Sequence, residues 1–504
     1  MSWFDESGLD ESKAISKLYS VTIVTASIMV PVLLLWRVVS NFRNLYYMSH
    51  AEGAWMTSAY DFTQGVLYRP LFGPLGYGGT RFFPLYIVLT GSLSRIFGRL
   101  EDSGMILSAA SVALLACGCF VLLRRLDVSV LVSLGAATAI LTAATTQEAL
   151  VHTKGDGLAA MLNVWGLALC MGPHDTDKGK RGWLYAAAAL FSLAFAAKMT
   201  TVFGVAAVVL AWAFGRRTND ALQLCLATGI GFIAVLSAMY FGSGGRALEI
   251  FRVCAGGGGS LIYALEAPYR IIGSALESDP VMVIFLVPAV AFGFSHFKKF
   301  PADILPIYFV LVLAVTTVIF GSPGTLFNHL IDLNVAAILL LAYAASRNSA
   351  VLEIGTGILA IGLIVGCVEV VAALRYDLGR PSLRAEIHKV LEKIPADERP
   401  ILAENSFVVL QAGKSPYMLD PFMFRVATSK YPALGSDLWQ KLSHQDFSAV
   451  VLERDPETAD GKNWYKEVHF GQEFLQDLEA NYSFSYSVGN RHVYLPKPRA
   501  GLIQ

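Results

Sequence analysis

Residues 103–123 read SGMILSAASVALLACGCFVLL and contain no charged side chain. A helix needs about 20 mostly apolar residues to cross the hydrocarbon core of a bilayer. The stretch therefore predicts a membrane-spanning helix, and comparable runs recur along the chain. About eleven such spans are predicted, over residues 18–36, 103–123, 128–147, 157–173, 182–197, 199–215, 221–241, 281–297, 304–321, 332–346 and 354–374.

The composition of the whole chain agrees with this pattern. Of 504 residues, 55% are hydrophobic and 15% are charged, whereas soluble domains carry about 25% charged residues. The 39 basic residues equal the 39 acidic ones, so no basic excess points to a nucleic-acid partner. The sequence predicts a polytopic α-helical membrane protein and excludes a soluble enzyme or a disordered chain.

The basic residues of short loops predict the orientation, because such loops stay on the cytoplasmic side. With the N-terminus inside, the basic loops near residues 124, 178, 216, 298 and 347 are all inside. Residues 41–102, 148–156, 242–280 and 322–331 are then outside. The first span follows an acidic leader and lacks a small-residue cleavage site, so it is predicted to remain as a membrane helix rather than a signal peptide.

Two domains are predicted. Residues 1–375 form the transmembrane domain, and their first outer loop, 41–102, contains an apolar segment from Phe82 that is too short to span and is typical of an interfacial helix. Residues 376–504 have the mixed charge of a soluble domain. There the periodicity predicts a helix over 382–391, a strand over 447–452 and a helix over 464–478, hence a small α/β domain on the outer, periplasmic side of the cytoplasmic membrane.

Ionisable residues at the outer ends of the spans are the candidate functional groups, because charges at membrane depth are costly and mark function. They are Glu52, Asp61, His152, Lys154, Asp156, Lys198 and His329. Each also has a structural interpretation. Ser49 to Glu52 fits a capping box, Asp156 could cap the next helix, and the two lysines could extend to the interface.

The order of motifs resembles the GT-C class of membrane glycosyltransferases, in particular the bacterial family of protein O-mannosyltransferases and aminoarabinose transferases (family 39-like). That family has an acidic residue after the first span, a Gly-x-x-Tyr motif, an aromatic-Pro-Leu segment and a further helix ending in Phe-Gly. Later in the chain it has an outer Asp and an outer Lys. The matching stretches are Glu52-Gly53, Gly65-Val66-Leu67-Tyr68, Phe82-Phe83-Pro84-Leu85, Ile96-Phe97-Gly98, Lys154-Gly155-Asp156-Gly157 and Ala197-Lys198.

The resemblance implies transfer of a sugar from a polyprenyl-phosphate donor to a glycan, lipid or protein acceptor in cell-envelope lipopolysaccharide or polysaccharide biosynthesis. It implies a carboxylate general base, and cations at the leaving phosphate. The candidate catalytic residues are Glu52, Asp156 and Asp61; the phosphate-binding candidates are Lys198, Lys154, Arg81 and Arg69; His152, Tyr68 and His329 are further pocket candidates. A divalent metal is left open, because the sequence offers no clear ligand set.

The sequence departs from the family at one position, and it leaves other functions open. Many relatives carry Asp-Glu at the first site, whereas Ala51 stands here before Glu52. One alternative is a transporter or lipid-linked-glycan flippase, although the internal repeats common in transporters are not found. Another is a non-catalytic envelope-assembly protein whose outer domain binds partners.

Overall fold

A computed structural model describes residues 5–172, 177–254, 259–297, 303–322, 325, 327–347 and 349–498. The predicted inner-loop residues 298 and 299 lie outside this described part. The chain divides into two compact units. Unit 1 contains residues 1–40, 105–235 and 260–379, and unit 2 contains residues 41–104, 236–259 and 380–504. The predicted outer loop 41–102 thus belongs to the same compact unit as the C-terminal residues.

The fold is predominantly helical. The helices in chain order are α1 (Asp5–Asn44), α2 (His50–Thr63), α3 (Pro84–Phe97), α4 (Leu100–Arg125), α5 (Val130–Thr142), α6 (Ala144–Val151), α7 (Asp156–Cys170), α8 (Asp177–Ala197), α9 (Phe203–Phe214), α10 (Thr218–Gly242), α11 (Arg246–Cys254), α12 (Leu261–Ser278), α13 (Pro280–Phe297), α14 (Ile304–Ile319), α15 (Ile331–Arg347), α16 (Ser349–Leu378), α17 (Leu383–Glu392), α18 (Ser406–Gln411), α19 (Pro421–Lys430), α20 (Ser436–Ser443), α21 (Ala459–Asn463) and α22 (Gln472–Asn481). The strands are β1 (Phe72–Gly73), β2 (Gly76–Tyr77), β3 (Ile401–Ala403), β4 (Ala449–Leu452), β5 (Tyr482–Val488) and β6 (Arg491–Pro496).

The apolar helices of a membrane protein are present, but they do not amount to eleven long spans. Every predicted span coincides with a helix or a helix pair. Within the described residues, however, five helices are long and apolar enough to cross a membrane, or six if the bent pair α5–α6 counts as one span. Others, such as α7 and α9, are apolar but shorter. The structure therefore contains fewer helices of membrane-spanning length than the sequence predicts, because several of the apolar helices are only a few turns long.

The predicted span 128–147 is broken at Ala143, where α5 and α6 meet at 65°. The buried carboxylate of Asp279 accepts hydrogen bonds from the backbone amides of Thr145, at 3.3 Å, and Met282, at 3.0 Å. Asn334 donates to the Thr145 hydroxyl at 3.2 Å. Amides at a helix start lack partners within their own helix, so these side chains stabilise the new start inside an apolar unit.

Unit 2 contains a four-stranded sheet in the order β3-β4-β6-β5, with β3 parallel to β4 and the other pairs antiparallel. The helix predicted over 382–391 is α17, and β4 lies inside the strand predicted over 447–452. The continuous helix predicted over 464–478 is wrong: a helical turn at Trp464–Val468 ends before α22 begins. Phe470 and Gly471 between them adopt φ values of 58° and 121°, which no helix accommodates.

Candidate functional site

A charged cluster at the helix ends of unit 1 brings together two of the candidate residues. Asp156 is the first residue of α7, and Lys198 lies in the turn that follows α8. Lys198 Nζ donates to Asp156 Oδ1 at 2.7 Å, and Asn328 Nδ2 donates to Asp156 Oδ2 at 2.8 Å. Both oxygens of Asp156 are therefore used by side chains from elsewhere in the chain, so the carboxylate is not simply a helix cap.

A second carboxylate acts on this cluster. Asp332 lies four residues after Asn328, at the buried start of α15. Burial lowers the pKa of Lys198, but the carboxylates of Asp156 and Asp332 outweigh burial and raise that pKa above its ordinary value. The two carboxylates therefore favour the charged form of Lys198. His329, on the 3-10 turn Phe327–Leu330, acts electrostatically on Asp156 and so belongs to the same neighbourhood.

The other two candidates of the loop before α7 converge on an acidic residue of α6. Lys154 Nζ donates to Glu148 Oε1 at 2.8 Å, and His152 Nδ1 lies 3.9 Å from the same oxygen. These side chains are mostly buried. The lysine is thus held by an ion pair rather than extended freely to the interface.

In unit 2, Asp61 and Arg69 form a buried bidentate ion pair. Arg69 Nε and Nη2 donate to the two Asp61 oxygens at 2.8 and 2.7 Å. Arg69 Nη1 donates to the carbonyls of Leu75 and Pro416 at 2.9 and 2.7 Å. With these donors engaged and the side chain fully buried, the arrangement favours a structural role for Asp61 and Arg69 over catalysis and phosphate binding.

The remaining candidates of unit 2 are also packed within it. The Tyr68 hydroxyl donates to the Phe82 carbonyl at 2.9 Å. The Arg81 guanidinium lies 5.5 Å from the centre of the Phe422 ring. Burial lowers the pKa of Arg81, and the carboxylate of Asp420 opposes that effect. The charge of Arg81 is therefore opposed by a carboxylate of the same unit, that of Asp420.

Glu52 lies in the first turn of α2 and is fully buried in unit 2. The capping box is present, and the Ser49 amide donates to Glu52 Oε2. The neighbouring Gly53 packs so closely that a Cβ atom there would lie 2.3 Å from Asn405 Oδ1. Thr57, one turn further on, donates to the Ser406 hydroxyl at 2.9 Å. The start of α2 is thus docked on the segment around Asn405.

Near that segment lie two more acids, Glu404, which is buried, and Glu453, which is largely buried. Glu404 accepts hydrogen bonds from Tyr465 Oη at 2.6 Å, Trp464 Nε1 at 2.7 Å and the Glu453 amide at 2.7 Å. Glu453 accepts one from Asn405 Nδ2 at 2.9 Å. Burial, together with the carboxylates of Glu404 and Glu52, raises the pKa of Glu453 to about 7. Glu52 therefore belongs to an acidic cluster inside the protein.

This raised pKa predicts a pH-dependent stability. A carboxyl group whose pKa is higher in the folded than in the unfolded chain stabilises the fold when protonated, and this stability is lost as pH rises through the folded pKa. We expect the melting temperature to fall as the pH rises from about 4.5 to about 7, and Glu453→Gln to reduce that fall. The exposed control Glu457→Gln should melt like the wild type at both pH values. An unchanged pH dependence in Glu453→Gln would assign the titration to another group.

Among the residues that the structure describes, no group of three His, Cys, Asp or Glu side chains is arranged to hold a metal ion. The candidate site of unit 1 consists of the ion pairs Lys198–Asp156 and Lys154–Glu148 and the side-chain amide of Asn328. Its partners Glu148, Asn328 and Asp332 were missed as site residues from the sequence. Asn328 and Asp332 flank His329 in the stretch Asn328-His329-Leu330-Ile331-Asp332, and their i, i+4 spacing at a helix start is the signal that favours one face for both.

Comparisons with known proteins bear on the fold. No protein-family model matches the sequence, and no curated protein sequence matches it significantly. Among solved structures, the chain is similar to ArnT from Cupriavidus metallidurans bound to undecaprenyl phosphate, with a TM-score of 0.60 and 12% identity over 95% of this chain and 99% of that chain.

The chain is also similar to the oligosaccharyltransferase of Archaeoglobus fulgidus. For the apo form the TM-score is 0.54, with 12% identity over 99% of this chain and 76% of that chain. For the form tethered to an acceptor peptide containing the NVT sequon, the TM-score is 0.53, with 14% identity over 99% and 75%. The predicted resemblance to the GT-C membrane glycosyltransferases is thereby confirmed at the level of the fold.

Proposed function

We propose that the protein transfers a sugar from a polyprenyl-phosphate donor to an envelope acceptor at the outer face of the cytoplasmic membrane. One observation carries the proposal: a largely buried polar cluster of Asp156, Lys198, Asn328 and Asp332 at the helix ends of unit 1. Buried charges in a membrane domain are costly and are kept for function. The fold shared with an enzyme solved with undecaprenyl phosphate supports a lipid-phosphate ligand.

Lys198 is the proposed contact for the donor phosphate. An ammonium group has three N–H donors, and one of them goes to Asp156 Oδ1. Two donors then remain for phosphate oxygens, which become more negative as the bond to the sugar breaks. In this proposal Asp156 and Asn328 orient the cation. Lys154, which is paired with Glu148, and His152 and His329 line the same outer region of unit 1.

The proposed reaction requires a base. The acceptor hydroxyl attacks the anomeric carbon, the bond from that carbon to the phosphate oxygen breaks, and polyprenyl phosphate leaves with the electron pair. The hydroxyl proton goes to a carboxylate. Glu52 is the proposed base, on the basis of its place in the family motif, whereas Asp156 is omitted because its two oxygens already accept hydrogen bonds from Lys198 and Asn328. Asp61 is omitted because Arg69 binds both of its oxygens.

The variant Glu52→Gln separates the base role from the capping role. A glutamine side-chain oxygen still accepts the Ser49 amide, so the helix start is preserved, but an amide takes up no proton at neutral pH. We expect sugar transfer by the purified protein to fall by at least about a hundredfold while the melting temperature stays near the wild-type value. Unchanged turnover would leave Glu52 with capping alone.

The reaction itself is tested in cells that lack the protein. Mass spectrometry of their envelope glycolipids and polysaccharides should reveal acceptors without one sugar and should reveal accumulated polyprenyl-phosphate sugar. Plasmid-borne wild-type protein should restore both. An intact set of glycans would contradict the proposal.

A further inference from the structure

Unit 2 contains an open cleft of about 660 Å³. One wall is the β1–β2 hairpin, contributing Phe72 to Leu75. The other is formed by the turn before α20 and by α20 itself, through Ala433, Leu434, Ser436, Asp437 and Lys441. Tyr417 lies between them. None of these residues belongs to the charged cluster of unit 1, and none is used in the mechanism proposed above.

The cleft is held in shape by hydrogen bonds. The Tyr77 amide donates to the Tyr417 carbonyl at 2.8 Å, and the Leu419 amide donates to the Tyr77 carbonyl at 3.1 Å. Gly76 has a φ of +85°, and a Cβ atom there would lie 2.1 Å from the Tyr417 carbonyl oxygen. Arg69 ties the carbonyls of Leu75 and Pro416 together. A cleft with walls fixed in this way is preorganised for a ligand.

The polar groups of the cleft suit hydroxyl groups. The buried Tyr417 hydroxyl donates to Asp437 Oδ2 at 2.5 Å. Lys441 Nζ lies 3.9 Å from Asp437 Oδ1, which is too long for a hydrogen bond. This oxygen and the ammonium group can therefore bind adjacent hydroxyls, one as an acceptor and the other as a donor. Their charges cancel, which favours a neutral ligand over an anion or a cation.

The apolar groups of the cleft complete this pattern. Phe72, Pro74 and Leu75 on the hairpin wall and Pro400 present hydrocarbon next to the Asp437–Lys441 pair. A sugar ring has a C–H face that buries against apolar side chains and a rim of hydroxyls that needs polar partners. The volume of the cleft lies within the range of about 300–1,000 Å³ found for small-ligand sites. Such mixed lining fits a neutral saccharide of one or a few rings.

We propose that this cleft binds the saccharide portion of the acceptor, with Asp437 and Lys441 as its specificity-determining residues. The inference rests on the proposed function, because an acceptor is required only if the protein transfers a sugar. It names the acceptor as a glycan rather than a peptide. It also assigns a ligand-binding role to the hairpin that Asp61 and Arg69 stabilise.

Binding is measured on the full-length protein in detergent. The probe is a set of neutral oligosaccharides released by mild acid from the envelope of cells lacking the protein and labelled at the reducing end. We expect saturable binding to the wild type and at least a tenfold weaker affinity for both Asp437→Asn and Lys441→Met, as lost hydrogen bonds to charged groups predict. The exposed controls Glu457→Gln and Lys462→Met should bind like the wild type.

The outcomes separate this inference from the proposed function. If the wild type shows no oligosaccharide binding, or if Asp437→Asn and Lys441→Met bind normally, the cleft is not the acceptor site, whatever the transfer assay reports. Capture of an unglycosylated envelope peptide that requires Asp437 would overturn the glycan assignment. Oligosaccharide binding that requires Asp437, in a protein without transfer activity, would support the cleft and contradict the proposed function. A higher KM for the acceptor at unchanged kcat in Asp437→Asn would support both.

Discussion

Replacing Lys198 with methionine is expected to abolish sugar transfer and to weaken binding of the polyprenyl-phosphate donor by about ten- to a hundredfold. The estimate follows from roughly 1.5–3 kcal/mol for a hydrogen bond to a charged group. Methionine retains most of the apolar length of the side chain and removes the ammonium group. Binding of a radiolabelled polyprenyl phosphate and turnover of the native donor measure the two effects.

This variant also leaves Asp156 buried without its cation, and breaking a buried ion pair costs about 3–5 kcal/mol. A loss of activity could then reflect unfolding. The double variant Asp156→Asn/Lys198→Met removes both charges and keeps an acceptor for Asn328, so it should recover much of the lost stability without recovering donor binding. If the double variant regained donor binding as well, Lys198 would have only a structural role.

Lys154→Met is the matched control, because Lys154 lies two residues before Asp156 and is also paired with a carboxylate at 2.8 Å. If phosphate binding resides on Lys198, Lys154→Met should affect donor affinity much less. Equal losses in both variants would show that binding depends on the total positive charge of this region and not on the Asp156 cluster.

The second large effect is expected for stability. Arg69→Met and Asp61→Asn should each lower the free energy of unfolding of the protein by about 3–5 kcal/mol, because each breaks a buried ion pair. Arg69→Met additionally leaves the carbonyls of Leu75 and Pro416 without their shared donor. A fall of about 3–5 °C in the melting temperature of the detergent-solubilised protein would correspond to this loss, because a chain of 504 residues has an unfolding entropy of about 1 kcal/mol/K.

Asp460→Asn is the control for the carboxylate, because Asp460 forms an ion pair with Arg454 but is 79% exposed. Exposed pairs contribute about 0–1 kcal/mol, so this variant should melt almost like the wild type. Arg69→Lys should be as unstable as Arg69→Met, because a lysine ammonium group cannot replace a planar guanidinium that donates to two carboxylate oxygens and two carbonyls. A stable Arg69→Lys variant that fails to bind donor would restore Arg69 as a phosphate ligand.

The membrane class was predictable from the sequence because it depends on local composition. Charge-free runs such as 103–123 require an apolar environment wherever they lie in the fold. The capping box at Ser49 to Glu52 and the amphipathic helix near 382–391 also follow from spacing alone. The break at Ala143 was not predictable, because the stabilising Asp279 is more than a hundred residues away.

The sequence by itself therefore determined that the protein belongs in a membrane and that its few charges mark the regions of interest. Only the tertiary structure decided how those charges are paired. Lys198 pairs with Asp156, Lys154 with Glu148 and Arg69 with Asp61. The physical reason is that a buried charge requires a partner within a few ångströms, and burial depends on how distant segments pack rather than on the residues beside it in the chain.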